Sequence, residues 1–191
     1  MPDHRLKPIP PLGGDMPRTD RFEGLTITEN PDLALASVAC RPGQGKSFGT
    51  AAKKALGFAL PGPGQTAAKG DYTAFWTGPE QWMLGAPFAS HEDIAAILKR
   101  VFKATASVTE QTDGWARFDL NGSAAPVVFE RLCNLNTRAM ASGSATRTVI
   151  DHLGCFVICR AAGTDFSVLG PRSSAGSLHH AMTTAATSAL G

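Results

Sequence analysis

Gly78-Pro79-Glu80-Gln81-Trp82-Met83-Leu84-Gly85 returns in altered form as Gly163-Thr164-Asp165-Phe166-Ser167-Val168-Leu169-Gly170. Gly78 matches Gly163, Glu80 matches Asp165, Leu84 matches Leu169 and Gly85 matches Gly170, all at one offset of 85 residues. An apolar run precedes each stretch, Tyr72 to Trp76 and Cys155 to Arg160, and a helical pattern follows each. The text predicts a β-hairpin followed by a helix, written twice. Two copies are too few for a solenoid, so the halves must share one core. The expected fold class is α+β: an internally duplicated domain of antiparallel or mixed sheets with flanking helices. Its pseudo-repeats are expected over about 22–105 and 106–191, after a proline-rich arm over 1–21.

Working outward, residues 1–21 hold five of the thirteen prolines and almost no periodic apolar residues, so they are expected to add nothing to the core. The folded part is expected from Phe22, with strands at Leu25 to Thr28 and Ala34 to Cys40. The loop Arg41-Pro42-Gly43-Gln44-Gly45-Lys46-Ser47 then leads into a helix over Phe48 to Leu56. Strand, glycine-rich loop with Gly-Lys-Ser and helix suggests a phosphate-binding loop, but the first glycine of that motif would fall on Cys40. A plain strand-to-helix connection is expected instead. Ile94, Ile97, Leu98, Val101 and Phe102 form the apolar stripe of a helix that a Ser90–Asp93 capping box should open.

In the second half, Ser107 to Glu110 and Trp115 to Leu120 read as strands. In the latter, Ala116, Phe118 and Leu120 alternate with Trp115, Arg117 and Asp119. A helix over Ala124 to Cys133 follows, then an irregular stretch, a strand at Arg147 to Ile150, and a last helix over about Ser174 to Ser188. The buried face of that helix should be Leu178, Ala181, Met182 and Ala185.

Composition narrows the function. A net charge of +2, with no stretch interleaving cations and aromatic rings, points away from nucleic acid as a partner. Without an apolar run of about 20 residues or a hydrophobic N-terminal segment, the expectation is a cytoplasmic protein with no membrane partner. Cys155 and Cys159 on one strand would have Cα atoms about 13 Å apart. That is too far for a disulfide or a shared zinc, so Asp151, His152, Cys155 and Cys159 form a metal cluster only if the segment is helical. Buried apolar filling is the expected role of the two cysteines.

Several stretches now combine. They are Val108-Thr109-Glu110-Gln111-Thr112-Asp113-Gly114-Trp115-Ala116-Arg117-Phe118-Asp119-Leu120-Asn121-Gly122, Leu132-Cys133-Asn134-Leu135, Gly143-Ser144-Ala145-Thr146-Arg147-Thr148 and Val168-Leu169-Gly170-Pro171-Arg172-Ser173-Ser174-Ala175. With Thr77-Gly78-Pro79-Glu80-Gln81-Trp82-Met83-Leu84, their order resembles the small gamma subunit family of heterotetrameric sarcosine oxidase, over roughly Ala34 to Ala185. The resemblance implies a fold similar to the folate-binding domain of the glycine-cleavage aminomethyltransferase. It implies a complex that oxidises sarcosine to glycine and hydrogen peroxide and passes the methyl carbon to tetrahydrofolate. It further implies that FAD, FMN, NAD and tetrahydrofolate belong to the other subunits, that the partners are the alpha, beta and delta subunits, and that this chain is structural and binds no cofactor. The family's usual Asp-Leu is here Asn134-Leu135, and the Lys-Gly-Cys-Tyr signature of related iron-sulfur repair proteins is missing.

No catalytic residue and no metal ligand is assigned. His4, His91, His152, His179 and His180 are scattered and expected at the surface, and no Gly-x-Ser-x-Gly elbow occurs. Arg172 and Ser173, between a strand and a helix N-terminus, form a candidate anion or folate-like site; the alternative is Arg172 paired with a local carboxylate such as Asp165. Trp76, Trp82, Trp115, Arg117 and Arg172 are candidates for a partner interface. Besides the accessory-subunit reading stands a free-standing folate-dependent one-carbon transferase, whose acid would be Asp113 or Asp151.

Overall fold

The computed structural model describes residues 8–191; the start of the arm, with His4, lies outside the described residues. In chain order the elements are β1 (Thr19–Phe22), β2 (Leu25–Glu29), β3 (Ala34–Cys40), α1 (Gly45–Leu56), β4 (Thr66–Lys69), β5 (Tyr72–Gly78), β6 (Gln81–Ala86) and the single turn α2 (Phe88–His91). They continue with α3 (Ile94–Phe102), β7 (Ala106–Glu110), β8 (Trp115–Asn121), α4 (Ala125–Leu132), β9 (Ser144–Ile150), β10 (Leu153–Ala161), β11 (Asp165–Pro171) and α5 (Ala175–Leu190).

Two antiparallel sheets result, ordered β4-β5-β6-β3-β7 and β9-β10-β11-β8-β2-β1. They are one five-strand pattern repeated, with β1 added at an edge. The leading strand of each half crosses over: β7 pairs with β3, and β2 pairs with β8. The halves therefore share hydrogen-bonded ladders as well as a core.

Period-two alternation assigns each strand's two faces. Ala116, Phe118 and Leu120 are fully buried under α4 and α5, with Val157, Phe166 and Val168 beside them. In the other sheet Ala36, Val38, Ala74 and Leu84 pack beneath α1 and α3 against Phe48, Leu98 and Phe102. The inner faces meet through Leu35, Phe75 and Met83 on one side and Ala145, Phe156 and Leu169 on the other. There the Phe75 and Phe156 rings stand 5.1 Å apart in an edge-on arrangement. Each such fully buried large side chain contributes about 1.5–3 kcal/mol.

The hairpin echo is one residue out of structural register. Leu84 lies under the helices while Leu169 faces the opposite sheet. A Cβ on Gly85 would meet Thr73, Leu33 and Leu35 toward the inner face, whereas one on Gly170 would meet Leu178 and Cys155 toward α5. A slip of one residue reverses every side chain of a strand, so the duplication holds for the elements and fails for the 85-residue offset.

Other expectations need correction. Ser90 lies inside α2, and Asp93 rather than Ser90 precedes α3, with no side-chain cap bond at either. On α5, Ala181 is only half-buried, and His179 and Ala186 join the buried face instead. The arm does add to the fold: Leu12 packs on the core under α4 and α5, and β1 begins at Thr19. Gly122 is required at the β8–α4 turn, where φ is 138° and a Cβ would sit 2.1 Å from the Gly24 carbonyl oxygen.

Candidate functional site

Between the sheets lies a cavity of about 330 Å³ walled by Leu35, Phe75, Ile158 and Leu169, with Arg117 and Arg160 as its cationic groups. Strand β8 places Arg117 and Asp119 on the inner face because the two alternate with the buried Ala116, Phe118 and Leu120. Asp119 is 6% exposed, and its carboxylate is saturated. Oδ1 accepts from Ser167 Oγ at 2.6 Å and Arg117 Nε at 2.8 Å; Oδ2 accepts from Asn30 Nδ2 at 2.9 Å and Arg117 Nη2 at 3.0 Å. Arg160 Nη1 stands 3.8 Å from Oδ2 while Nη2 donates to Asn121.

Burial by itself raises a carboxyl pKa. Here the Arg117 charge and the bonds from Arg117, Ser167 and Asn30 outweigh it and hold Asp119 below its usual value. A carboxylate so anchored is ionised at neutral pH and has no lone pair facing a ligand, which makes it a poor proton carrier. It ties together β8, β11 and the residue after β2, and it aims the Arg117 guanidinium along the cavity. Ser167 donates directly to that carboxylate with no histidine between them, so it is not activated as a nucleophile.

The equivalent positions of the other half are apolar or neutral. Glu29 pairs with Phe118 and Glu110 with Ala36, which aligns Arg117 with Leu35, Asp119 with Ser37 and Ser167 with Met83. The backbone repeats itself there: the Asn30 amide donates to the Arg117 carbonyl, and the Gln111 amide donates to the Leu35 carbonyl. The side chains echo too, Asn30 reaching Asp119 and Gln111 reaching Ser37 at 3.4 Å.

A second cavity, of about 310 Å³, lies where the arm crosses the body, lined by Pro10, Pro31, Phe88, Trp115, Arg117 and Arg172. Arg172 donates to the Ile9 carbonyl, and its Nε is 4.0 Å from Asp113. The partner is thus the arm and Asp113; Asp165, the carboxylate expected for it, bonds to Thr164. Ser173 is exposed in the short 3₁₀ turn Arg172–Ser174 that precedes α5. The buried Glu29 secures the arm further on, accepting from the Leu12 amide at 2.7 Å and the Arg18 amide at 3.0 Å.

The remaining candidates separate. Trp82 donates from Nε1 to the Pro61 carbonyl at 2.8 Å and packs on Phe48, and Trp115 bonds to Gln111 and packs on Phe156. Both are engaged within the chain. Trp76 is half-buried in β5, opposite Trp82. Asp113 is exposed beside the second cavity, and Asp151 is exposed in the β9–β10 turn with φ of 47°. Neither lines the central cavity. Cys155 and Cys159 lie buried on strand β10, and burial pushes the Cys155 thiol to about 11. No group of three metal-ligating side chains occurs among the described residues. His179 is buried rather than at the surface, with Nε2 2.7 Å from Asp20 Oδ2. Sequence reasoning missed the Asp119 cluster because Asp119 read as one decorated position of an alternating strand.

The fold is that of one chain of heterotetrameric sarcosine oxidase. That structure, from Corynebacterium sp. U-96 in complex with pyrrole 2-carboxylate, is matched with a TM-score of 0.76 at 19% identity, over 90% of this chain and 88% of that one. The glycine cleavage system aminomethyltransferase T from Bartonella henselae is matched at 0.61 and 16% identity, over 81% of this chain but only 44% of that one. No family model and no curated protein matches the sequence. No helix among the described residues is long and apolar enough to cross a membrane.

Proposed function

We propose that this chain is the small accessory, gamma-type subunit of a heterotetrameric sarcosine oxidase complex, itself structural and non-catalytic, with alpha, beta and delta subunits as its partners. In this reading FAD, FMN, NAD and tetrahydrofolate are held by those other subunits, in the cytoplasm. The observation that carries it is one of extent: the chain spans 88% of a chain of a heterotetrameric oxidase but less than half of the glycine cleavage system aminomethyltransferase. The acid beside the central cavity, Asp119, is saturated by four hydrogen bonds, and no carboxylate among the described residues lines that cavity.

A second reading, a folate-binding one-carbon transferase acting alone, draws on the same cavity. Its apolar walls and paired arginines suit a flat ring bearing a carboxylate. Among the described residues it offers no unengaged acid to face the pterin. Calorimetry on the isolated chain separates the two: the subunit reading predicts no stoichiometric heat with tetrahydrofolate or flavin and no sarcosine oxidation. Tight one-to-one tetrahydrofolate binding would select the transferase.

A further inference from the structure

The outer helical layers of the two halves differ in charge. Residues 41–56, covering α1 and the loop before it, carry Arg41, Lys46, Lys53 and Lys54 and no acid. Residues 94–105, covering α3 and the turn after it, carry Lys99, Arg100 and Lys103 and no acid. All seven cations are exposed, and none belongs to an ion pair among the described residues. The two segments pack side by side on one sheet: the Arg41 amide donates to the Thr105 carbonyl, and the Phe48 ring of α1 packs tilted against Phe102 of α3, centroids 5.0 Å apart. The matching layer of the second half is nearly neutral, with Glu130 and Arg131 on α4, Glu130 pairing with Arg138, and only His179 and His180 as titratable groups on α5. Seven of the eighteen basic residues thus lie on one layer, and the acids beside it, Asp93 before α3 and Glu110, which accepts from the Ala95 amide, sit at the N-terminal end of α3, away from Lys99, Arg100 and Lys103.

We infer that the α1/α3 face is the electrostatic docking surface for an acidic face of a partner subunit in the complex. The inference rests on the accessory-subunit reading. Unpaired like charges repel and weaken the fold of the isolated chain, and an opposing acidic surface relieves that repulsion. Two helices of 12 and 9 residues span about 18 and 14 Å. Such an area falls short of the roughly 800 Å² per partner of a standard interface, so the face steers and orients a larger contact. A protein partner is favoured over nucleic acid or a bilayer because Phe48, Trp82 and Phe102 turn inward and the exposed large apolar side chains, Ile9, Met16 and Val149, all lie outside these segments.

The test measures binding of the full chain to a co-expressed alpha–beta–delta sarcosine oxidase assembly at about 50 mM and 500 mM salt. The variants are Lys53→Gln/Lys54→Gln/Lys99→Gln/Lys103→Gln and a control, Arg21→Gln/Arg131→Gln. The expected result is at least tenfold weaker binding of the quadruple variant at low salt, a flatter salt dependence and an unchanged control. The isolated quadruple variant should also melt higher than wild type at low salt, which excludes misfolding as the cause. Equal binding of wild type and quadruple variant overturns the docking surface and leaves the subunit reading intact. Failure of wild type to bind overturns both. Binding of wild type to a 20-base-pair duplex more tightly than to the assembly, lost in the quadruple variant, overturns it in favour of nucleic acid.

Discussion

At equivalent places on their inner faces, one half of the molecule holds Leu35, Ser37 and Met83, and the other holds Arg117, Asp119 and Ser167. The backbone around them is the same, down to the paired amide-to-carbonyl bonds from Asn30 and Gln111. Backbone geometry therefore does not require the charges. The polar half exchanges apolar packing for a buried ion pair, which seldom adds net stability but is expensive to break. Its product is a fixed guanidinium at the border of two cavities.

The largest effect should come from breaking that asymmetry on its charged side. Asp119→Ala leaves Arg117 without its counterion, and equilibrium denaturation should show a loss of about 3–5 kcal/mol. Ser37→Ala, at the matching place, removes one long hydrogen bond and should cost about 0.5–1 kcal/mol. Equal losses would mean that the halves are energetically alike.

Glu29 and Glu110 sharpen the comparison next. Both accept backbone amides: Glu29 those of Leu12 and Arg18, Glu110 those of Ala95, Gln111 and Thr112. Glu29 is buried and Glu110 exposed. Glu29→Ala should cost about 1–3 kcal/mol and open the arm to trypsin at Arg18 and Arg21, whereas Glu110→Ala should cost less and leave the arm protected. The two strand-end glycines offer a further pair. A methyl on Gly170 would come within 2.5 Å of Leu178 Cδ2 in the full core, and Gly170→Ala should cost about 1–3 kcal/mol. One on Gly85 meets Thr73 and Leu33 beside the cavity, where there is room to yield, so thermal melts should rank Gly85→Ala as the milder change.

The smallest effects are those of pH. Asp119 has a folded pKa below its unfolded value of about 3.9. The unfolded chain therefore takes up the proton first, and the stability from this group, present above about 3.9, is lost as pH falls through the lower folded value. Asp119→Asn should flatten that acid limb. Cys155 runs the other way: its stability contribution is complete below about 8.5 and declines as pH rises toward its folded value of about 11. Cys155→Ala should remove that alkaline decline in a melt-versus-pH series.

The sequence made the elements legible because periodicity and turn chemistry act locally: the strand alternation around Phe118 and the stripe on α3 both appear in the structure. Register was less accessible. The hairpin glycines suggested an offset of 85, yet Thr28-Glu29-Asn30 and Thr109-Glu110-Gln111, 81 residues apart, mark the leading strands that the structure superimposes. That short polar echo was the usable signal. β1 and the docking of the arm were hidden because Ile9, Leu12 and Arg18 are held by the distant Arg172 and Glu29. The Asp119 cluster was hidden for the same reason, since it joins Asn30, Arg117 and Ser167 from three separate parts of the chain.

The accessory-subunit reading is tested most directly by mixing the purified chain with alpha, beta and delta sarcosine oxidase subunits and resolving the mixture by size-exclusion chromatography with mass detection. A single peak holding one copy of each subunit, with sarcosine oxidation found only in that peak, is the predicted result. Elution of the chain by itself, with activity unaffected by its removal, would contradict the account.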